Sequence, residues 1–388
     1  MKKKNAESVI NEIFQQTLRL FSAAEETQVY KTMNSIRFTF LSVLLCFMVV
    51  LNLFSQDSIQ VKKVKVLPVP TFGYSPETKT YVGVVSLFTI DLYQDSVTRS
   101  SNSKVEFNYT WNKQIILETE WNYFFKDEAW FTQGLLHYSK YPDLYYGIGD
   151  NTSNSAEVNF ESTRIKADID LLKNINNKWF AGIGLNYYNF GNVSYSSEKM
   201  DYLELKDASN WGLKMILLKD SRNNILTPTK GTYLKFINSF KFSDAFYDQI
   251  TLDVRRYYSF GKKQNQTIAG RFYQSSVINT PPFYDYSLIG GDKLVRGYYF
   301  GRYREKNLST LQLEYRVNLF WKIGLATFGG VTALYPDITS IDKITARPNL
   351  GVGLRFLVDK KENTSLRFDY AAGSNDQSGF YVSFGESF

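Results

Sequence analysis

From Asp57 onward the chain keeps one rhythm, an alternation of apolar and polar side chains. Leu311, Leu313, Tyr315, Val317 and Leu319 share one face of an extended segment, while Gln312, Glu314, Arg316 and Asn318 share the other. Ile165, Ala167, Ile169 and Leu171 alternate in the same way with Arg164, Lys166, Asp168 and Asp170. Ile115, Leu117, Trp121 and Tyr123 oppose Glu118, Glu120 and Asn122. A period of two predicts strands with one apolar and one polar face. The segments run about 9–12 residues, the length a tilted strand needs to cross a bilayer. Sixteen can be marked, at 66–74, 81–93, 103–111, 114–125, 129–139, 156–172, 178–190, 208–220, 231–242, 247–260, 266–277, 309–319, 323–335, 348–358, 365–372 and 379–388.

A soluble sandwich also alternates, with its polar face in water. Here the polar faces carry dense mixed charge, which suits a watery lumen, and the apolar faces end in Tyr, Phe and Trp. Short polar connections at 260–264 and 359–364 contrast with long ones at 192–207 and 279–308. That contrast suits periplasmic turns and outer loops. An even strand count allows closure, which removes the unpaired edges that lipid does not tolerate. The expected fold is all-β, a 16-stranded antiparallel transmembrane β-barrel.

Composition sharpens this picture. The 388 residues include 30 Phe and 28 Tyr, enough amphipathic rings for two membrane girdles. Only one apolar run approaches the roughly 20 residues of a spanning helix, so a helical bundle is excluded. Phe38–Phe54 is that run, with Arg37 before it and Ser55-Gln56-Asp57 after it. A cationic flank, an apolar core and a polar exit form the layout of an export signal. Its core is long, so an uncleaved anchor stays open. A signal over 33–57, starting at Met33, has ordinary proportions. Residues 1–32 are then an N-terminal extension, either an amphipathic helix or a stretch upstream of the true start. The barrel domain is expected over 58–388.

The chemistry of catalysis is missing. Cys46 is the single cysteine and lies in the apolar run, which excludes a disulfide framework. His137 is the single histidine, so no histidine-based metal or catalytic set is expected; it reads as a wall residue. There is no Gly-x-Ser-x-Gly elbow and no phosphate-binding glycine loop. Glu118 and Glu120 share a strand face and read as lumen lining, not as an acid pair. Net charge is +7, but the cations are scattered, so nothing points to nucleic acid. An enzyme, a cofactor and a metal site are not expected.

One segment stands out. Residues 290–304 read Gly-Gly-Asp-Lys-Leu-Val-Arg-Gly-Tyr-Tyr-Phe-Gly-Arg-Tyr-Arg, with cations at Lys293, Arg296, Arg302 and Arg304 between two strands. It resembles the Val-Arg-Gly-Tyr loop of the outer-membrane assembly factor superfamily, which includes BamA- and TamA-like barrels and bacterial surface antigens. Three other places carry the resemblance. Residues 65–78 look like the opening strand of surface-antigen barrels. Asp220-Ser-Arg-Asn-Asn with Pro228-Thr-Lys-Gly231 is similar to a strand-turn-strand signature of the family. The last segment places Phe380, Val382, Phe384 and the final Phe388 on one face, resembling the C-terminal signal that barrel machinery recognises.

The resemblance implies that the loop folds into the lumen, with Arg296, Gly297, Tyr298, Gly301 and Arg302 as its motif. Arg296 then needs acids on the inner wall, because a buried guanidinium favours bidentate carboxylate contact. Glu314 and Asp369 are the candidate partners. The chain departs from the family where Phe-x-Asp-x-Gly is expected, reading Phe328-Gly-Gly330-Val-Thr332. About ten residues between Gln56 and the first strand leave no room for a periplasmic POTRA domain. Two functions follow from the resemblance. One is assembly or translocation of other proteins in a Gram-negative outer membrane, with outer-membrane lipids, unfolded clients or periplasmic subunits as partners. The other is a passive channel, surface antigen or structural subunit without insertase activity.

Overall fold

The computed structural model describes residues 63–75, 79–93, 95, 97–111, 113–195, 204–337, 344–359 and 364–388. The expected extension at 1–32 and export signal at 33–57 lie outside them. The strands, in chain order, are β1 (Lys63–Ser75), β2 (Lys79–Asp91), β3 (Ser101–Thr110), β4 (Ile115–Phe124), β5 (Trp130–Tyr145), β6 (Val158–Asn176), β7 (Trp179–Tyr195), β8 (Ala208–Asp220) and β9 (Gly231–Phe242). They continue with β10 (Phe246–Phe260), β11 (Gln266–Ile278), β12 (Ser287–Leu288), β13 (Arg304–Glu305), β14 (Asn307–Phe320), β15 (Ile323–Tyr335), β16 (Thr345–Asp359), β17 (Thr364–Gly373) and β18 (Ser378–Phe384).

Sixteen of these form one sheet in which each strand pairs with the next in the chain, β11 passing directly to β14. The small strands β12 and β13 pair with each other inside the long loop. The two edges of the sheet, β1 and β18, come together. Tyr81 Oη donates across this seam to the Val382 carbonyl at 3.2 Å, and among the described residues no backbone ladder joins the two strands. Pro68 and Pro70 lie in β1 with its ladder to β2 running through both. Proline has no N–H and is confined to edges, so the missing donors face the seam. The result is a 16-stranded antiparallel transmembrane β-barrel.

Alternation sorts the side chains as expected. Ile183, Leu185, Leu213, Met215, Leu311, Leu313 and Leu350 point outward and are exposed. Such continuous apolar rows would be a liability in water and belong against lipid. Asp170, Lys214, Asp253 and Arg271 point inward and are buried. One region breaks the rule. Phe124, Phe131, Leu172, Phe180, Ile216 and Leu218 also point inward and form an apolar cluster at the end of the barrel where the chain starts β1. Phe124 and Phe131 stack at 4.5 Å. The turn 221–230 covers this cluster, with Ile225 packed against it.

The last strand is shorter than expected. β18 stops at Phe384, and Gly385 adopts φ +73°. Residues 385–388 turn into the lumen, held by Gly385 N–H to Ser365 O at 2.9 Å and Glu386 N–H to Leu226 O at 2.8 Å. The shared face expected of Phe380, Val382, Phe384 and Phe388 therefore fails at its last member. Phe380 is exposed on the wall, whereas Phe388 is buried beside Tyr257 and Ala269.

The inward cluster predicts a contrast. Phe180→Ala leaves a cavity and should cost about 3–5 kcal/mol. Ile183→Ala, on the lipid face, leaves space that acyl chains fill and should cost less. Urea midpoints of folded barrel in bilayers measure both.

Candidate functional site, an arginine locked in the lumen

The connection from β11 to β14 does not stay outside. Ile289, Val295, Tyr298 and Tyr303 are fully buried with Leu308 and Leu334 of the wall. Two glycines let it pack so closely. Gly297 has φ +104°, and a Cβ there would meet the Ala372 backbone at 2.9 Å. A side chain at Gly373 would strike the Tyr298 ring at 2.5 Å. Gly301, at φ +80°, makes the next turn and donates its N–H to Ile289 O at 2.8 Å.

Arg296 sits at the innermost point, with 3% of its surface exposed. Its Nη1 donates to Asp369 on β17 and its Nη2 to Glu314 on β14. Its guanidinium carbon lies 3.3 Å from the centre of the Phe328 ring. The two candidate acids thus converge on one cation from strands three places apart in the sheet. Main-chain contacts fix the backbone around it. Asn349 Nδ2 donates to Arg296 O at 2.9 Å, and Gly297 N–H donates to Tyr381 Oη at 3.0 Å. Gln312 Nε2 donates to Leu294 O.

The acids are shared with three more arginines. Arg316 Nε reaches Glu314 at 2.7 Å. Arg355 reaches Asp369 at 2.6 Å, Glu386 at 2.8 Å and Glu314 at 3.4 Å. Arg367 reaches Asp369 and Asp292, each at 3.2 Å. Four guanidiniums therefore face four carboxylates, Glu314, Asp369, Glu386 and Asp292. A group of this size survives burial only because its charges cancel and its hydrogen bonds are mostly made. Arg316 also donates to Pro228 O at 3.0 Å and Phe388 O at 2.8 Å. The same cluster thereby holds the turn 221–230 and the C-terminal segment.

Gly330 and Thr332, where the family pattern has aspartate and glycine, take other roles. Gly330 lies opposite Gln312 and Asn349, the two residues that grip the loop backbone. A Cβ on it would meet Leu311 O at 2.6 Å. Thr332 Oγ1 donates to Thr310 Oγ1 at 2.9 Å. The carboxylate absent from β15 is supplied from β17 by Asp369.

Arg302 is held differently. It stacks between Tyr146 at 4.4 Å and Tyr303 at 4.3 Å. It donates to Thr152 Oγ1 and O, each at 2.9 Å, and to Asn154 Oδ1 at 2.6 Å. Arg304 lies 4.6 Å from the Tyr145 ring, and Arg347 3.5 Å from Tyr303. Burial pulls the Arg302 and Arg304 guanidiniums below their ordinary value. Lys293 pairs with Glu120 at 2.5 Å. Glu120 and Glu118 gather with Lys104 on the lumen wall, and His137 Nδ1 meets Glu118 at 3.0 Å.

Sequence reasoning missed Arg355, Glu386 and Phe328 as members of the cluster. Arg355 and Phe328 lie inward and are buried, but nothing in the sequence tells which inward residues a folded loop will meet. Removing one charge from the cluster leaves its partner buried. Arg296→Ala and Asp369→Asn should each lower stability by about 3–5 kcal/mol. The double variant should lose less than the sum, because the residues share one network; a double-mutant cycle of urea midpoints checks this.

Residues 92–388 match the Omp85 superfamily domain. No curated protein matches the sequence. Solved structures of other outer-membrane proteins are similar, two of them as follows. One is BamA from Haemophilus ducreyi lacking POTRA domains 1–3, at 12% identity and a TM-score of 0.54, with 83% of this chain and 70% of that chain covered. The other is CdiB from Acinetobacter baumannii, at 13% identity and a TM-score of 0.52, with 82% of this chain and 59% of that chain covered. These likenesses match the barrel architecture, and the domain match covers most of the strands and the whole loop; the chain belongs to the Omp85 superfamily.

Proposed function

We propose that this outer-membrane barrel takes part in assembling or translocating other proteins in a Gram-negative outer membrane, through its seam between β1 and β18. The observation that carries the reading is the seam itself. It is closed by side-chain contact such as Tyr81 to Val382, while every other neighbouring pair shares a ladder. An edge with free backbone groups can template an incoming strand by β-augmentation. Clients are then unfolded barrel proteins, outer-membrane lipids form the surroundings, and periplasmic subunits deliver the client. Arg296 serves by holding the loop against β17, beside the seam.

The contents of the lumen oppose the passive-channel reading. The long loop packs into it, with Ile289, Val295, Tyr298 and Tyr303 fully buried. The turn 221–230 and residues 385–388 obstruct the other end, joined by the Glu386 to Leu226 bond. Single-channel recording should show no steady pore of porin size, and a large constant conductance would revive the channel reading.

The assembly reading is tested by client folding. The purified protein is placed in liposomes and an unfolded outer-membrane barrel is added. Acquisition of heat-modifiable mobility by the client is timed. Acceleration that falls with Arg296→Ala at equal barrel yield is expected. No acceleration by folded protein, with or without added periplasmic extract, sinks the reading.

A further inference from the structure

Ten cations of the lumen are neutralised by acids of the same chain. Lys104, Lys214, Lys235, Lys241, Arg255, Arg271, Arg296, Arg316, Arg355 and Arg367 each meet a carboxylate of the chain. Four outward cations behave differently. Lys173 lies directly opposite Trp130 across the β5–β6 ladder, with its ammonium 5.7 Å from the indole centre. Lys219 lies opposite Trp179 across β7–β8, at 5.2 Å. Lys322 lies 5.8 Å from both Trp321 and Phe356, whose rings meet edge to face. Arg256 is exposed on β10, opposite Thr232. Among the described residues none of the four pairs with a carboxylate.

All four belong to one rim. They flank the turns after β6, β8, β10 and β14, on the side where β1 begins. The side chains that follow them along the same faces are lipid-facing, among them Leu136, Ile169, Ile183, Met215 and Leu354. The cations thus stand just where hydrocarbon gives way to headgroups. Lysine over indole fits that boundary, since the ring is amphipathic and its face attracts the ammonium. The opposite rim is built without this pairing. There Trp211 stacks on Phe242 at 4.8 Å and Phe242 on Phe246 at 5.3 Å, with no cation over the three rings among the described residues.

We infer that Lys173, Lys219, Lys322 and Arg256, backed by Trp130, Trp179 and Trp321, form a collar that binds the phosphates of anionic phospholipids in the leaflet at the short-turn rim. The missing counter-charge of the collar comes from the membrane. Each phosphate accepts a charge-assisted hydrogen bond from a lysine whose stem lies along the ring. Positions on alternate hairpins spread the sites around the wall, so the collar fixes depth and tilt as well as lipid composition. This inference rests on the barrel spanning the membrane and not on the assembly role.

The test uses the full chain folded into vesicles of phosphatidylcholine containing either brominated phosphatidylcholine or brominated phosphatidylglycerol. Quenching of tryptophan fluorescence reports which lipid occupies the wall. Phosphatidylglycerol should be preferred by about five- to tenfold at low salt, the effect of a few interfacial cations, and the preference should shrink as salt is raised. Lys173→Gln, Lys219→Gln and Lys322→Gln combined should bring it close to one. Lys140→Gln, exposed near the other rim, should leave it unchanged. Should the triple variant fail to show heat-modifiable mobility, Lys322→Gln alone, in a turn, carries the comparison. Equal quenching by both lipids in the unaltered protein, or an unchanged preference in a folded variant, overturns the inference. A stronger preference for vesicles containing lipid A would overturn the assignment to phospholipid.

Discussion

Burial of one guanidinium is the constraint around which the rest of this barrel is arranged. Arg296 is driven into the lumen by a loop whose apolar residues Ile289, Val295 and Tyr303 are buried there. A lone cation in that place would cost several kcal/mol after relaxation. Glu314 and Asp369 offset this cost, yet two carboxylates so near one another need more positive charge than Arg296 supplies. Arg316, Arg355 and Arg367 provide it, and Glu386 and Asp292 close the balance. Once formed, the cluster has spare donors. Arg316 spends them on the carbonyls of Pro228 and Phe388. The loop, a turn from the opposite rim and the chain end are thereby attached to one electrostatic object.

Much of this was legible in the chain. Alternation alone puts Glu314 and Asp369 on inward faces, and any inward acid near a descending arginine is a candidate partner. Strand limits were readable where alternation is clean, as at 208–220, 231–242 and 323–335. What was not legible has a common cause. Phe124, Phe131 and Phe180 sit on the face that the pattern assigns to polar residues, and their reason for being there is the turn 221–230 packed over them. Phe388 continues the spacing of Phe380, Val382 and Phe384, yet the glycine before it allows a positive φ and Arg316 captures its carbonyl. Such contacts join residues far apart in sequence, and period-two reasoning carries no information about them. Arg302 is similar, since its partners Tyr146 and Thr152 lie in a loop that no periodicity marks.

The diversion of the chain end bears on the seam. β1 has thirteen residues and β18 seven. Had residues 385–388 continued along the wall, they would have faced the early part of β1. Instead Gly385 keeps a last bond to Ser365 of β17, and Glu386 and Phe388 meet Leu226 and Arg316 inside the barrel. Pro68 and Pro70 remove two donors from the same edge. Hydrocarbon tolerates unpaired backbone groups poorly, at several kcal/mol each. A barrel that leaves such groups at one seam must shield them with side chains, as Tyr81 does, or with protein from elsewhere. The same groups are what an added strand would satisfy. The seam is therefore the join that parts without breaking a ladder, whereas parting β6 from β7 would break one that runs from Phe160 to Trp179.

Two charge economies thus coexist in one wall. Inside, cations such as Lys214 and Arg296 meet acids of the chain, and others such as Arg302 and Arg347 stack on its tyrosine rings. Outside, at the short-turn rim, lysines stand over indoles with no acid beside them among the described residues. Matching them internally would have been easy, since a carboxylate on any neighbouring outward position lies within about 5 Å in an antiparallel pair. Carboxylates at that depth would repel lipid phosphate and be costly to desolvate. Lysine carries the opposite sign and a long apolar stem, so it reaches the headgroups while its methylenes stay in the apolar layer.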